Sequence, residues 1–530
     1  MSIILWQPFF YPLSLFFMKK ITFLILLMVS CWSSLQAQMR YLDQVFTQTS
    51  VTSTVYGNNH SVITLSQFGH TLPIPQRVDI YRPKDDAATN RPLIIYLQTG
   101  NFLPLAVNGS CTGTITDSSN VEVATRLAKM GYVVAVASYR QGWRPDLPQE
   151  LLTRYTWINA VYRGMQDVRS CIRFFRKSVA EGGNPYGIDP NKVVVWGQGT
   201  GGFVSLAAAY LNNYEELLTT SDTLKFMLPT AGGYIPMVNP IYNGDINGFP
   251  PAGQTVCKVD AAYSAATGFP LGDTLCTSQN AGYPSNFNLC VNMGGALADS
   301  TWLDAGEMPL ISYHVPSDFF FPCQTDGYYL APLTCPFFLP YMTGSCGLHD
   351  IIEQNGNNSI FESVPASNDP YKVAGYSGFR PFNGTPNNSN APWEWNAGPN
   401  PAPPNILSLC NNNGASSRKY IDTIVGYFAP RACLALDLCS FSKTNEINSA
   451  EIGLSVAPVP AVDAILFQTT DEPIRSVYIY DLNGRLVKAH TNIDNNIFRM
   501  ERNSLANGLY IAELKFDRGF AKRRIVFTNN

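Results

Sequence analysis

A chain of 530 residues is long enough for more than one domain and for a large core. Its formal net charge of −3 and the lack of any long basic run exclude nucleic acid as a partner. Only 14% of residues are charged while Gly (40) and Pro (37) are plentiful, a balance that predicts long ordered loops rather than disorder.

The chain opens with an export signal. Met18-Lys19-Lys20 is a positive start, residues 21–29 are an apolar run, and Leu35-Gln36-Ala37 is a cleavage site before Gln38. Residues 1–37 therefore read as a signal peptide whose true start is Met18. No later run is long enough to span a membrane. Removing the leader takes Cys31 with it and leaves eleven of the twelve cysteines, an odd number, for an oxidising compartment. Cys257, Cys276, Cys290, Cys323, Cys335 and Cys346 crowd one third of the chain and are expected to staple long loops, with the pairing open. No Cys pair has zinc spacing, so neither a metal nor a cofactor is expected.

Residues 40–69 are Thr/Ser/Val-rich and predict early antiparallel strands. Residues 76–83 alternate and end in proline, as an edge strand would. Residues 92–100 are a continuous apolar run into a turn, hence a central strand. Helical spacing over 121–130 precedes a second central strand over 131–139. A long amphipathic helix is predicted over 153–181, with Arg163, Arg169, Arg173 and Arg176 on its solvent side. The apolar run 193–196 is a buried strand, and the Ala/Leu-rich 203–210 begins a helix. This βαβα alternation predicts a mostly parallel sheet wrapped by helices. Residues 212–287 are too long for a connection and are expected to form an ordered insertion over the top of the sheet. Strands resume at 288–293 and 308–315, a helix covers 350–354, and residues 420–438 close the domain near Cys433 and Cys439.

Between the buried strand and its helix lies the turn Gly197-Gln198-Gly199-Thr200-Gly201. Strand, sharp turn and helix form a nucleophile elbow, whose usual turn is G-x-S-x-G. Together with Val78-Asp79-Ile80-Tyr81-Arg82-Pro83 and the stretch from Ser312 to Asp318, residues 76–438 resemble α/β-hydrolases of the carboxylesterase-like kind. The resemblance implies a doubly wound, mostly parallel sheet with a Ser-His-acid triad. Here Gly199 stands at the nucleophile position, with no atom to attack with. Asp318 falls where the family places its acid, or it caps a loop. The histidine should follow Asp318. His490 lies too far along, and His349 reads as a surface or helix-capping residue. His314 is inside a strand and reads as a hydrogen-bonded core residue. Where esterases have His-Gly-Gly, this chain has Gln98-Thr99-Gly100-Asn101. A glycine turn at a helix start presents bare N–H groups. Gln98, Gly100, Asn101, Gln198, Gly199 and Thr200 are therefore expected to line a pocket for a small carboxylate, ester or carbonyl group. Trp393-Glu394-Trp395 either stacks on a glycan or packs against the domain.

A second regime begins near Asn445. Short alternating runs at 477–480, 485–487, 509–514 and 524–527 are separated by Asn483-Gly484 and Asn507-Gly508, the pattern of a small all-β, immunoglobulin-like sandwich. The block from Val477 to Val487, that from Leu505 to Ile511, and the basic ending Ala521-Lys522-Arg523-Arg524-Ile525-Val526 together resemble the type A C-terminal sorting domain of Bacteroidota type IX secretion substrates. The usual Pro-Asn-Pro appears as Pro458-Val459-Pro460. The resemblance implies that residues 445–530 engage the type IX machinery and that the protein passes through the periplasm to be released or held at the outer-membrane surface. The sequence thus predicts a secreted α/β-hydrolase-fold protein over 38–444, silent by the serine mechanism and acting as a binding protein. The alternative is an active acyl hydrolase using Thr200 or a serine from the insertion.

Overall fold

The computed structural model describes residues 39–529 apart from 109, 111, 146, 148, 223, 319, 331–336, 385–389, 396–412, 440–446, 448, 483 and 518. The expected leader, Cys31, Cys111, Cys335 and Cys410 fall outside the described residues. Two compact units divide between Cys439 and Ser440.

The first unit is built on an eight-stranded sheet. Its strands are β1 (Thr49–Ser61), β2 (Leu72–Pro83), β3 (Arg91–Leu97), β4 (Val133–Ala137), β5 (Ile188–Gln198), β6 (Leu289–Met293), β7 (Leu310–His314) and β8 (Phe379–Pro381). They lie in the order β1-β2-β4-β3-β5-β6-β7-β8. β1–β2 and β2–β4 pair antiparallel, and every later pair is parallel. Alternate residues of the central strands feed two cores. Leu93, Ile95, Val193 and Val195 pack on helices α2 (Glu150–Gly182) and α3 (Thr200–Tyr210). Ile94, Tyr96, Val194 and Trp196 pack on α1 (Ser118–Lys129) and α5 (Gly414–Ala435). The continuous apolar runs follow from burial on both faces.

Three expectations are corrected. β2 is not an edge strand: β1 pairs along its whole length. Its prolines are tolerated because β4 pairs only with Val78–Tyr81, so Pro73, Pro75 and Pro83 lie beyond that ladder. The arginines of α2 do not face solvent; Arg163, Arg169, Arg173 and Arg176 are all buried. They also explain the third correction, because residues 212–287 lie along α2 rather than over the sheet. Asn159 donates to the Met237 carbonyl, Tyr162 to Gly244, and Gln166 to Asn243 and Asp245. Arg169 donates to Ile246, Arg173 to Asn247 and Gln279, and Arg176 to Pro284 and Asn286. A guanidinium carries five donors, so one helix face satisfies a strand-poor segment's carbonyls. Burial pulls Arg169 and Arg173 down to about 10, which leaves both charged near neutral pH.

Two disulfides are formed among the described residues, Cys323–Cys346 and Cys433–Cys439. Cys257 and Cys276 face each other across a hairpin as thiols, and Cys171 and Cys290 are buried thiols.

The second unit holds two antiparallel sheets with a core of its own. One runs Ser455–Ala457, Ala464–Gln468, Ile497–Glu501; the other runs Leu486–Asn495, Ile474–Tyr480, Gly508–Lys515, Phe520–Phe527. Ile465, Phe467, Val477, Ile479, Leu514 and Ile525 fill the space between them.

Candidate functional site

The elbow forms where the sequence places it. β5 ends at Gln198, Gly199 follows with φ 53° and ψ −118°, and α3 starts at Thr200. That backbone lies in a region where a side-chain-bearing residue is strained and glycine is not. The Gly199 N–H donates to Met293 O at 2.7 Å, and its carbonyl accepts from the Gly202 N–H at 2.9 Å. Strand and helix meet so closely that a Cβ on Gly197 would stand 1.9 Å from the Gly201 oxygen.

The space above Gly199 is occupied. A Cβ placed on Gly199 would lie 2.1 Å from Thr99 Oγ1 and 2.8 Å from Thr99 Cβ. Thr99, two residues past the end of β3, therefore fills the volume in which a serine nucleophile would project. A hydroxyl sits in the gap, but no imidazole stands beside it, since all five histidines are engaged elsewhere. His60 meets the Thr71 carbonyl, His70 meets Asp273, and His490 lies at a tilt against the Phe498 ring in the second unit. His349 is neither a free surface residue nor a helix cap: it is half-buried within helix α4 (Ser345–Asn355), its ring against Tyr376 and Phe379.

The side chains expected to line a ligand pocket do not converge. Gln98 is buried and donates to the Gly113 carbonyl at 2.9 Å. Asn101 is exposed and donates to Asn108 O at 3.2 Å. Thr200 is buried against the Tyr139 hydroxyl at 3.1 Å, and that hydroxyl donates to Gln98 O. Gly100 packs on Gly113, whose Cα would stand 2.7 Å from a Cβ there. Each side chain is engaged by protein, although Gln98 Oε1 is buried without a partner among the described residues.

Gln198 leads to Glu394, which the sequence marks only as part of a tryptophan-flanked loop. Tyr96 donates to Gln198 Oε1 at 2.5 Å, and Gln198 Nε2 donates to Glu394 Oε1 at 2.5 Å. Thr112 Oγ1 donates to the other Glu394 oxygen at 3.1 Å. Ser417, in the first turn of α5, donates to the Glu394 backbone carbonyl and fixes the loop. Chain order puts the triad histidine in this loop after the last strand; a carboxyl is there instead. Burial raises Glu394 to about 7, against the lowering effect of its Gln198 hydrogen bond. Trp393 and Trp395 on either side are buried too, which favours packing over glycan stacking. A charge flanked by two tryptophans was the available signal.

Asp318 lies 3.6 Å from His314 across a buried loop. Its Oδ1 accepts from the Phe320 and Phe321 N–H groups, the loop cap that was one of its two expected roles. Burial raises Asp318 to about 7 and lowers His314 to about 4, so between those values the pair is neutral rather than ionic. His314 Nε2–H then donates to Phe321 O at 3.3 Å, and Ser345 donates its hydroxyl proton to His314 Nδ1 at 3.1 Å. Asn292 in turn donates to Ser345 Oγ at 3.1 Å. A serine, a histidine and an aspartate thus line up at the C-terminal end of β7, with Ser345 and His314 fully buried. Ser345 carries no local signal of this role, since its partner comes from a strand 31 residues earlier. Among the described residues, no group of three His, Cys, Asp or Glu side chains is placed to hold a metal.

The BD-FAE family model matches residues 78–228, from β2 through the elbow. The model of the secretion system C-terminal sorting domain matches residues 455–528. Among solved structures, the native thermophilic esterase Est2 of the Planctomycetes species Thermogutta terrifontis is 16% identical, with 51% of this chain and 72% of that chain covered at a TM-score of 0.26. Its propionate-bound form is 15% identical, with coverages of 51% and 74% and a TM-score of 0.27. The same esterase phosphorylated by paraoxon is 17% identical, with coverages of 51% and 73% and a TM-score of 0.26. No curated protein matches the chain significantly in sequence. No described helix is long and apolar enough to cross a membrane.

Proposed function

Because this chain joins a BD-FAE-type α/β-hydrolase domain to a type IX sorting domain that directs secretion and cell-surface attachment, we propose that it is a surface-displayed hydrolase-fold protein that no longer cleaves esters by the serine mechanism. The observation that carries this reading is the Thr99 side chain standing within 2.1 Å of where a Gly199 side chain would begin. An acyl transfer site needs a nucleophile, a base beside it and open donors for the oxyanion. At this elbow the first is glycine, and the volume above it is protein. In the loop where chain order puts the base, the buried group hydrogen-bonded to the elbow is the carboxyl of Glu394. The elbow therefore serves as a locked strand–helix junction, and the protein acts outside the cell by binding.

A second reading has one observation in its favour, the Ser345–His314 hydrogen bond at 3.1 Å with Asp318 beyond it. Against it stand the burial of both groups and the Cys323 carbonyl, which accepts from the Cys346 and Gly347 N–H groups that would otherwise receive an oxyanion. Purified mature protein is expected to show no turnover of p-nitrophenyl acyl esters and no covalent labelling by a fluorophosphonate probe. Labelling abolished by Ser345→Ala would establish the second reading; labelling abolished by Thr200→Ala would place the reaction at the elbow.

A further inference from the structure

We propose that a cavity between α2, α3 and residues 212–302 is a binding site for a compact apolar molecule bearing one hydrogen-bond acceptor. The cavity measures about 40 Å³. A single water needs roughly 10–15 Å³ by this measure, so the space suits a small ring rather than one solvent molecule. Its walls are almost wholly hydrocarbon and aromatic: Trp157, Met165, Phe203, Trp302 and Met342 all face it. Water is disfavoured there for want of partners.

Trp157 also carries an unmatched polar group. The indole N–H of Trp157 is buried and has no hydrogen-bond acceptor among the described residues. Leaving a buried donor unmade is unfavourable, whereas a Trp N–H in a core is normally matched. The Trp157 ring is held edge-on between Phe102 and Phe203, at 5.4 and 5.6 Å, and so is not free to turn away. A guest with a hydrocarbon body fills the apolar walls, and a single carbonyl, ether or ester oxygen takes the N–H. Val161 and Ala298, also in the lining, are half-buried, which sets that side of the cavity close to the surface. The cavity borders the helix that follows the elbow but is lined by none of residues 197–201, and the proposal stands whether or not the elbow is silent.

The test compares two rings of one size, cyclopentanone and cyclopentane, on the full mature chain labelled with ¹³C-methyl methionine. Met165 and Met342 report from the cavity wall. Both rings are expected to move these two methyl resonances, with the ketone binding about 5- to 10-fold tighter, the ratio one net hydrogen bond supplies. In Trp157→Phe the ketone loses its advantage and binds no better than cyclopentane, whose own affinity stays within about twofold. The proposal is overturned if neither ring moves the two methyls, or if the ketone binds the wild-type chain no better than the hydrocarbon. A ketone advantage that persists in Trp157→Phe overturns it as well. The wild-type comparison alone decides the matter if that variant does not fold.

Discussion

At Gly199 one atom type decides what the elbow can do. Gly199→Ser is expected to destabilise the protein, because a side chain at φ 53° carries strain of about 1–3 kcal/mol and also meets Thr99. Thr99→Ala combined with Gly199→Ser removes the collision and recovers part of that loss. Neither variant gains p-nitrophenyl ester turnover, since no histidine partners the new hydroxyl. Denaturant unfolding and an esterase assay check the two halves of this expectation. Glu394 supplies a second residue-scale prediction. Its folded-state value of about 7 lies above its ordinary 4.5, so the folded chain holds an extra proton between them. The associated stability is fully present below about pH 4.5 and is lost as pH rises through about 7. Asp318 acts in the same direction. His314, lowered to about 4, acts oppositely and loses stability as pH falls below 6.5. Glu394→Gln should remove one carboxyl's share, on the order of 2–3 kcal/mol, from the difference between unfolding free energies at pH 5 and pH 8.

On the scale of elements, helix α2 shows why periodicity alone misplaced a functional surface. Arginines spaced six, four and three residues apart, at 163, 169, 173 and 176, read as a solvated stripe, because charged groups are seldom buried. Here the stripe is covered by residues 212–287, whose irregular backbone leaves carbonyls in need of donors. Arg173→Met would leave the carbonyls of Asn247 and Gln279 without that donor and lose the stacking over Phe249 at 4.6 Å. A loss of about 2–4 kcal/mol is expected. Hydrogen exchange should rise across residues 239–286 well before it rises in β3 and β5. Exchange spread evenly over the whole unit would show that the arginine does not hold the insertion. By contrast, β3, β4 and β5 and the elbow were legible, because their apolar runs, glycines and following helices are signals local to a few residues.

For the whole molecule, separate cores and a sorting domain set the expectation. The first unit's cores involve no residue of the second, whose own core is complete. A chain ending at Cys439 should therefore melt within a few degrees of the full chain, as circular dichroism can follow. In cells, deletion of residues 455–528 should leave the protein in the periplasm, where proteases added to intact cells do not reach it. The full chain should instead be found at the surface or in the medium. Surface display of the truncated chain would show that export does not depend on the sorting domain.

The sequence by itself determined the mostly parallel sheet, the elbow turn with Gly199 at its apex, and the C-terminal sorting domain that directs secretion. All of these are written in short contiguous runs, in which neighbouring residues enforce the structure. Only the tertiary structure decided that Thr99 fills the nucleophile's volume, that Glu394 occupies the loop expected to hold a histidine, and that Ser345 meets His314. Each of these pairings joins residues brought together by the order of strands in the sheet. Hydrogen-bond satisfaction in a buried space is a property of the assembled fold, and no local pattern encodes it.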